Sequence, residues 1–410
     1  MQIISMKLRA LTAGMALCGG VFGCSSASTT DLGSDGASSS QTAPLQRAIG
    51  SAHHHGADCD DTFEHLYVGC RDDQGTIQHY RITNATGAVS LVDTAFANAA
   101  VSNTALSEDE RFLYVAHTDT GRISTFSRDP DSGSLTLEGF VEVPGSPDPT
   151  SSPATQTLEI DHTGRFLLAA NYTANTVLVY ALQADGMVGA LVASREDGLN
   201  AHQTLLTPRN DFALVPYLGS NYIAVYRFDD HDGSLTPSNP FLNTLPTPLS
   251  GPRHLALHPS RDWVYSISEN AGAIDFFKLN ERRGTLRHRQ TLSSLPADFA
   301  GAERSGSEIE IDKAGEFLYV SNRLDQVANG ILGVYSIARD GVLAPIQFED
   351  SRGATPRQFS LSPDGDLLVV GNQGSANMSV FKVNDRTGKL KYVATTPVCE
   401  KPFFARMVSP

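Results

Sequence analysis

The stretch "SPDGDLLVVGNQ" (Ser362–Gln373) joins a polar, glycine-containing turn to a run of apolar residues. The same layout occurs in "DKAGEFLYVSNR" (Asp312–Arg323), in "HPSRDWVYSISE" (His258–Glu269) and in four further stretches. Consecutive copies are 46 to 54 residues apart, measured at the third apolar residue of each: Tyr67, Tyr114, Leu168, Leu214, Tyr265, Tyr319 and Val369. In-phase copies at a spacing of this kind indicate a repeat architecture.

Each copy is followed by an alternating apolar segment such as "NTVLVYAL" (Asn175–Leu182) and by a turn such as "DGSLTP" (Asp232–Pro237). Alternating segments bounded by turn residues are typical of strands, and four short strands per repeat make a propeller blade. We therefore predict an all-β fold, a seven-bladed β-propeller with four-stranded antiparallel blades, over an all-β sandwich with coincidental turns. The first copy lacks its inner strand, which Pro402–Ser409 is expected to supply.

The amino terminus predicts export rather than folding. Residues 1–23 have a short basic region followed by an apolar run, and they end at Cys24 in a sequence similar to a bacterial lipoprotein signal. The alternative is a plain secretory signal with an incidental cysteine. Residues 24–58 are rich in Ser, Thr and Gly and predict a flexible tether, so the propeller is expected to span 59–410. We expect a periplasmic or outer-membrane lipoprotein, held to the membrane only by lipid on Cys24.

Charge and cysteine content restrict the partners. A formal net charge of −14 disfavours nucleic-acid binding, which needs a basic face.

An exported chain can form disulfides, and Cys59, Cys70 and Cys399 remain for pairing, with Cys59–Cys70 and Cys59–Cys399 both possible. A monomer is expected.

Two rings of polar residues are predicted at one mouth of the propeller. The inner strand and the second strand of a blade pair as a hairpin, so the start of one lies beside the end of the other. Arg253 and Glu269 are equally far from the turn at Arg261 and should be neighbours. The inner-strand ring is Ser102, Gln156, His202, Arg253, Ser307 and Arg357, and the second ring is Arg71, Thr118, Tyr172, Leu218, Glu269, Arg323 and Gln373.

These rings admit two interpretations. Polar residues can simply solvate a water-filled channel or pair between blades. A histidine, several arginines and a glutamate also suit a site that binds an anion or a carbonyl and moves protons. Because side chains alternate along a strand, His254 is expected to face away from Arg253 and to support the site or pack.

The motifs "GPRHLALHP", "SEIEIDKAGEFLYVSNR" and "TPRQFSLSPDGDLLVVGNQ" resemble those of the seven-bladed propeller lactonases. That family includes propeller-type 6-phosphogluconolactonases and carboxymuconate lactonizing enzymes. The resemblance implies an active site made by His202, Arg253, Glu269 and Arg323. Further substrate-binding or supporting residues are expected to be His254, Glu308, Arg357, Gln373 and Tyr172. The family often has His-Ala-His where this chain has Asn200-Ala201-His202, and its 6-phosphogluconolactonases are cytosolic, which makes cytosolic 6-phosphogluconolactone a poor guess here.

The resemblance implies a lactonase, a carboxylic ester hydrolase that acts on a sugar-derived or carboxylated lactone. His202 would act as the general base, Arg253 and Arg323 would bind a carboxylate and the oxyanion, and Glu269 would orient an arginine or carry a proton. We expect neither a metal nor a cofactor. The alternatives are a muconate-type cycloisomerase that uses the same residues, and a non-catalytic binding scaffold in the cell envelope.

Overall fold

The computed structural model describes residues 62–145, 154–300, 304–324 and 329–410. The predicted signal peptide, Cys24, the tether and Cys59 lie outside these residues. Within them the chain forms seven four-stranded antiparallel sheets, which confirms the predicted seven-bladed β-propeller. In the part of the chain that is described, no helix is long and apolar enough to cross a membrane.

Four strands form each blade, the innermost strand first in every blade but the closing one. In chain order the strands are β1 (Phe63–Cys70), β2 (Thr76–Thr83), β3 (Val89–Phe96), β4 (Val101–Leu106), β5 (Phe112–His117), β6 (Arg122–Arg128), β7 (Leu135–Glu142), β8 (Thr155–Ile160), β9 (Phe166–Asn171), β10 (Thr176–Leu182), β11 (Val188–Arg195), β12 (Leu205–Leu206), β13 (Phe212–Tyr217), β14 (Tyr222–Phe228), β15 (Leu235–Thr244), β16 (Pro252–Leu257), β17 (Trp263–Ser268), β18 (Ala273–Asn280), β19 (Thr285–Ser293), β20 (Gly306–Ile311), β21 (Phe317–Asn322), β22 (Asn329–Ile337), β23 (Leu343–Ala354), β24 (Pro356–Leu361), β25 (Leu367–Asn372), β26 (Asn377–Val383), β27 (Leu390–Pro397) and β28 (Pro402–Val408).

The first blade closes the ring with both ends of the chain. Its strand order is β28-β1-β2-β3, and Leu66 pairs with Met407 across the junction. The predicted inner strand from the carboxyl terminus is therefore confirmed. The blades that follow are numbered 2 to 7 and contain β4–β7, β8–β11, β12–β15, β16–β19, β20–β23 and β24–β27.

A disulfide between Cys70 and Cys399 fastens the same junction, with a Cα–Cα distance of 5.9 Å. The sequence left two pairings open, Cys59–Cys70 and Cys59–Cys399, and both are wrong because Cys70 and Cys399 pair with each other. Cys70 ends β1, and Cys399 precedes β28, which lies beside β1, so ring closure brings these two thiols together.

The same hydrogen bond recurs between neighbouring blades and explains the tyrosines of the repeat. Four repeat anchors are fully buried tyrosines whose hydroxyls donate to a glycine carbonyl in a turn of the next blade: Tyr67 to Gly133, Tyr114 to Gly186, Tyr265 to Gly341 and Tyr319 to Gly388. At Gly341 φ is 92°, and a Cβ atom there would lie 2.2 Å from the ring of Phe276. Glycine is needed there for both the backbone conformation and the space.

Every innermost strand contains one residue more than its partner strand over the paired region. The extra residue falls between Val101 and Thr104, Thr155 and Thr157, Ala201 and Leu205, Pro252 and His254, Gly306 and Ile309, Pro356 and Gln358, and Pro402 and Phe404. Such a β-bulge breaks the strict alternation of side chains and re-aims one of them. The six residues predicted as the inner ring lie at six of these seven irregularities, beside the channel.

Candidate active site

Glu269 lies between two arginines at the mouth of the channel. Arg253 Nε donates to Glu269 Oε2 at 3.1 Å, and Arg323 Nη2 forms an ion pair with the same oxygen at 2.8 Å. Burial alone would raise the pKa of Glu269, but Arg323 and Arg253 outweigh it and hold that pKa below its usual value. The carboxylate is therefore ionised at neutral pH and fixes both guanidinium groups.

Arg357 adds a third guanidinium to this end of the channel. It lies over the ring of Phe403, 3.8 Å from the ring centroid. Burial, followed by the charges of Arg253 and Arg323, lowers the pKa of Arg357 well below its usual value. Three arginines surround one glutamate here, so the cluster has an excess of positive charge that suits an anionic ligand or a developing oxyanion.

A cavity of about 470 Å³ opens at this mouth and is large enough for a small sugar derivative. It is lined by Ser305, Arg323, Thr355, Arg357, Gln373, Gly374 and Lys401. Of the residues predicted from the sequence, it brings together Arg323, Arg357 and Gln373. Its lining is polar and basic.

His202 is deeply buried beside this cluster, with 3% of its surface exposed. Its ring makes edge contacts with Tyr172 at 5.6 Å and with His254 at 5.0 Å between centroids. Desolvation, and then the charge of Arg253, lowers the pKa of His202 well below 6.5. The imidazole is therefore neutral at neutral pH and able to accept a proton.

Asn200 stands where the resembled family often has histidine, and its role here is structural. It has a positive φ of 60°, which asparagine tolerates better than most residues, and its Nδ2 donates to the carbonyl of Tyr172 at 3.2 Å. The turn at Asn200 leads directly into Ala201, which bridges to Tyr217, and then into His202. Asn200 thus helps to position His202 without contacting it.

The prediction that His254 faces away from Arg253 is wrong. The bulge between Pro252 and His254 breaks the alternation of side chains, so both Arg253 and His254 border the channel. His254 Nδ1 lies 2.6 Å from Glu308 Oε1 in the next blade, and both side chains are buried. These two residues, expected as supporting groups, form a buried histidine–carboxylate pair.

Phe403 is the seventh member of the inner ring and was missed by the sequence analysis. It lies at the bulge of β28, the strand that closes the ring, and its ring contacts the guanidinium of Arg357 and also that of Arg71, at 5.6 Å. The signal that could have found it was already present. The predicted closing strand places Phe403 at the position that Arg253 occupies in blade 5.

The family model described as "Lactonase, 7-bladed beta-propeller" matches residues 65–407. The chain belongs to this lactonase family. Membership confirms the resemblance seen in the motifs and the expectation of a lactonase.

Relatives in the lactonase family match along nearly their whole length. A 6-phosphogluconolactonase of Serratia proteamaculans is 30% identical over 84% of this chain and 98% of its own. A 6-phosphogluconolactonase of Yersinia pseudotuberculosis is 29% identical over 83% of this chain and 96% of its own. The solved structure of a periplasmic gluconolactonase from Pseudomonas aeruginosa superposes with a TM-score of 0.75 at 26% identity, covering 85% of this chain and 99% of that one.

Proposed function

We propose that this lactonase hydrolyses a sugar-derived or carboxylated lactone at the channel mouth, and that it works outside the cytoplasm as a lipid-anchored protein. The observation that carries the proposal is the Arg253–Glu269–Arg323 cluster beside the buried, neutral His202. Fixed guanidinium groups and a neutral imidazole in one water-poor site are the elements that ester hydrolysis needs.

The hydrolysis balances with these residues alone. His202 accepts a proton from water as the water oxygen forms a bond to the lactone carbonyl carbon. Arg253 and Arg323 stabilise the negative charge that develops on the carbonyl oxygen. The ring carbon–oxygen bond then breaks, the protonated His202 returns its proton to the ring oxygen, and the product is an open-chain hydroxy acid. At neutral pH that acid gives up one proton for each turnover.

The substrate class follows from the charge and size of the mouth. The excess positive charge of the three arginines favours a carboxylate or another anionic substituent, and the polar lining of the 470 Å³ cavity suits hydroxyl groups. The relatives from Serratia and Pseudomonas are described as acting on lactones of gluconate or its phosphate. We therefore favour an aldonolactone or a uronic-acid-type lactone.

Export is supported by two independent features, and the first of them also supports lipidation. Residues 1–23 read as a signal sequence that ends at Cys24. The Cys70–Cys399 disulfide is a bond that persists in oxidising compartments outside the cytoplasm. An enzyme in that location would act on lactones in the periplasm rather than on intermediates of the cytosol.

The test is a panel of neutral, carboxylated and phosphorylated lactones, assayed with the full chain by titrating the released acid. We expect turnover of at least one sugar lactone, and its loss in His202→Ala. The absence of turnover on the whole panel, together with capture of a stable envelope partner, would favour a binding scaffold instead. Formation of a lactone from a muconate without incorporation of water would favour a cycloisomerase.

A further inference from the structure

A small cavity lies in the channel below the mouth, where residues from the innermost strands of all seven blades meet. Its volume is about 10 Å³, which is close to the minimum that holds a single water molecule. Among the residues that line it are His202, Arg253, His254, Glu308 and Arg357. Arg357 also lines the mouth, so the small cavity adjoins the space assigned to the substrate.

Three of the residues that line this cavity each have a buried polar atom without a partner. His202 Nδ1, His254 Nε2 and Glu308 Oε2 have no hydrogen bond to any residue that the structure describes. Their residues are only 3%, 4% and 5% exposed. Buried polar groups are almost always hydrogen-bonded, to protein or to ordered water. A site the size of one water molecule with three candidate partners meets the requirement of two to four polar contacts.

The contacts of the His254–Glu308 pair determine which nitrogen of His254 carries the proton. The 2.6 Å contact joins His254 Nδ1 to Glu308 Oε1, and the same oxygen accepts from the backbone N–H of Ile309 at 3.1 Å. Ser321 Oγ accepts from the backbone N–H of Glu308 at 3.1 Å and holds the residue in place. A carboxylate at Nδ1 keeps the proton on that nitrogen, which leaves Nε2 as an acceptor. That acceptor is the atom without a partner at the small cavity.

A third cavity continues the channel beyond this pair. Its volume is about 430 Å³, and it lies farther along the inner strands, where Glu159, Glu310 and Arg406 are partly exposed. His254 and Glu308 line both this inner chamber and the small cavity, whereas His202 and Arg253 line only the small one. Together with Asn103 and Gln358, which also line both cavities, the histidine–carboxylate pair therefore separates the substrate side of the channel from the inner chamber.

We propose that the small cavity holds one ordered water, and that this water and the Glu308-bound His254 carry a proton from His202 to the inner chamber. The proposal rests on the proposed lactone hydrolysis, in which one proton leaves the site in each turnover. The proton that the product acid gives up passes to His202, from His202 to the water, and from the water to His254 Nε2. His254 Nδ1 passes its own proton to Glu308, and Glu308 releases it to solvent in the chamber. The imidazole then returns to its Nδ1–H form before the next turnover. No oxidant or other reactant takes part.

The charged groups around His254 favour the passage of a proton through the imidazole over a stable imidazolium. The charged or titratable groups that face His254 are Glu308 of blade 6, Arg253 of its own strand, Arg357 of blade 7 and His202 of blade 4. Burial lowers the pKa of His254, Glu308 raises it again, and Arg253 lowers it. The Glu308 carboxylate stabilises the imidazolium, whereas burial and the arginines oppose a lasting positive charge on it.

The experiment compares Glu308→Gln and His254→Ala with the wild-type full chain on a lactone that the wild type hydrolyses. We expect kcat to fall about 10²-fold in both variants with KM unchanged. Added imidazole should restore much of the rate of His254→Ala and none of the rate of His202→Ala. The solvent isotope effect on kcat should rise in both relay variants, because proton transfer becomes slower than the chemistry.

Glu159→Gln is the matched control in the same channel. Glu159 lines the inner chamber, and its carboxyl accepts from the backbone N–H of Leu206 at 2.9 Å, which a glutamine oxygen can also do. Burial raises the pKa of Glu159 to about 8, so at neutral pH the carboxyl is largely protonated and glutamine is a close substitute. We expect kcat and the solvent isotope effect to match the wild type.

The outcomes separate the relay from the hydrolysis. A wild type that hydrolyses a lactone, with Glu308→Gln and His254→Ala at full kcat, would overturn the relay and leave the lactonase in place. A wild type inactive on every lactone would overturn the hydrolysis. Nitrogen-15 NMR of the histidines needs no turnover and no variant: at pH 7 the relay requires a proton on His254 Nδ1 and none on Nε2. A proton found on Nε2 instead would overturn the relay in either case.

Discussion

Arg253 Nε donates to Glu269 Oε2 at 3.1 Å across the innermost hairpin of blade 5. Arg253 Nη1 also donates to the carbonyl of Ser307 in blade 6 at 2.6 Å. One guanidinium thus joins two blades and faces the channel at the same time. Its position depends on a carboxylate that lies at the channel mouth.

Glu269→Gln should lower kcat about 10- to 100-fold, because the arginines lose the charge that aligns them and repel one another. Steady-state kinetics on a hydrolysed lactone checks this. Glu349→Gln is the control, since Glu349 pairs with Arg352 on the outer strand β23, away from the channel. Equal kcat in Glu269→Gln and Glu349→Gln would contradict the assigned role of Glu269.

The pH dependence of kcat/KM should have its acid limb below pH 6.5 and be flat from there to about pH 8. The pKa of His202 is depressed, so its neutral form persists as pH falls through 6.5. The same shift predicts that stability is complete above 6.5 and is lost progressively as pH falls toward the lower pKa of the folded state. An acid limb centred above 6.5 would exclude His202 as the base.

Arg323→Lys should raise KM for a carboxylated lactone about tenfold and change KM for a neutral lactone much less, because lysine lacks the planar fork that binds a carboxylate. Both lactones are assayed on the same preparation. Arg352→Lys, on the outer strand β23, should leave both KM values unchanged. A uniform rise in KM for the two substrates would show that Arg323 does not read the carboxylate.

Replacing Cys70 and Cys399 by alanine should reduce the free energy of unfolding by about 2–5 kcal/mol, because the bond closes a very long loop in the unfolded chain. Thermal unfolding with and without a reducing agent measures the effect. The double variant should no longer respond to the reductant, while the wild type should. An unchanged melting temperature in the reduced wild type would contradict this stabilising role.

Gly341→Ala should destabilise the fold more than Gly365→Ala. Both glycines have a positive φ, 92° and 84°, so both substitutions strain the backbone. A Cβ atom at Gly341 would lie 2.2 Å from the Phe276 ring, whereas at Gly365 nothing lies within 4 Å. The difference in unfolding free energy isolates the close packing behind the Tyr265 hydrogen bond, and we expect about 1–3 kcal/mol.

The architecture was predictable because the same local pattern recurs in phase, and hairpin register alone placed Arg253 beside Glu269. The orientation of His254 was not predictable, because a single-residue bulge leaves no mark in the pattern of apolar residues and reverses the expected face. Prediction of the Cys70–Cys399 bond required knowing which segment completes the first sheet and how the residues of that segment align with those of β1. Phe403, in contrast, was predictable, because the expected closing strand already places it at the position that Arg253 occupies in blade 5.

Ring closure by β28 also has a consequence for biosynthesis. Protein synthesis delivers the amino-terminal strand β1 first and Pro402–Val408 last. Until those residues emerge, blade 1 lacks its inner strand, Cys70 lacks its disulfide partner, and Arg357 lacks the Phe403 ring on which it lies. The enzyme therefore cannot complete either its ring or its channel before the chain is finished. A chain truncated before β28 would therefore have an open ring and an incomplete channel.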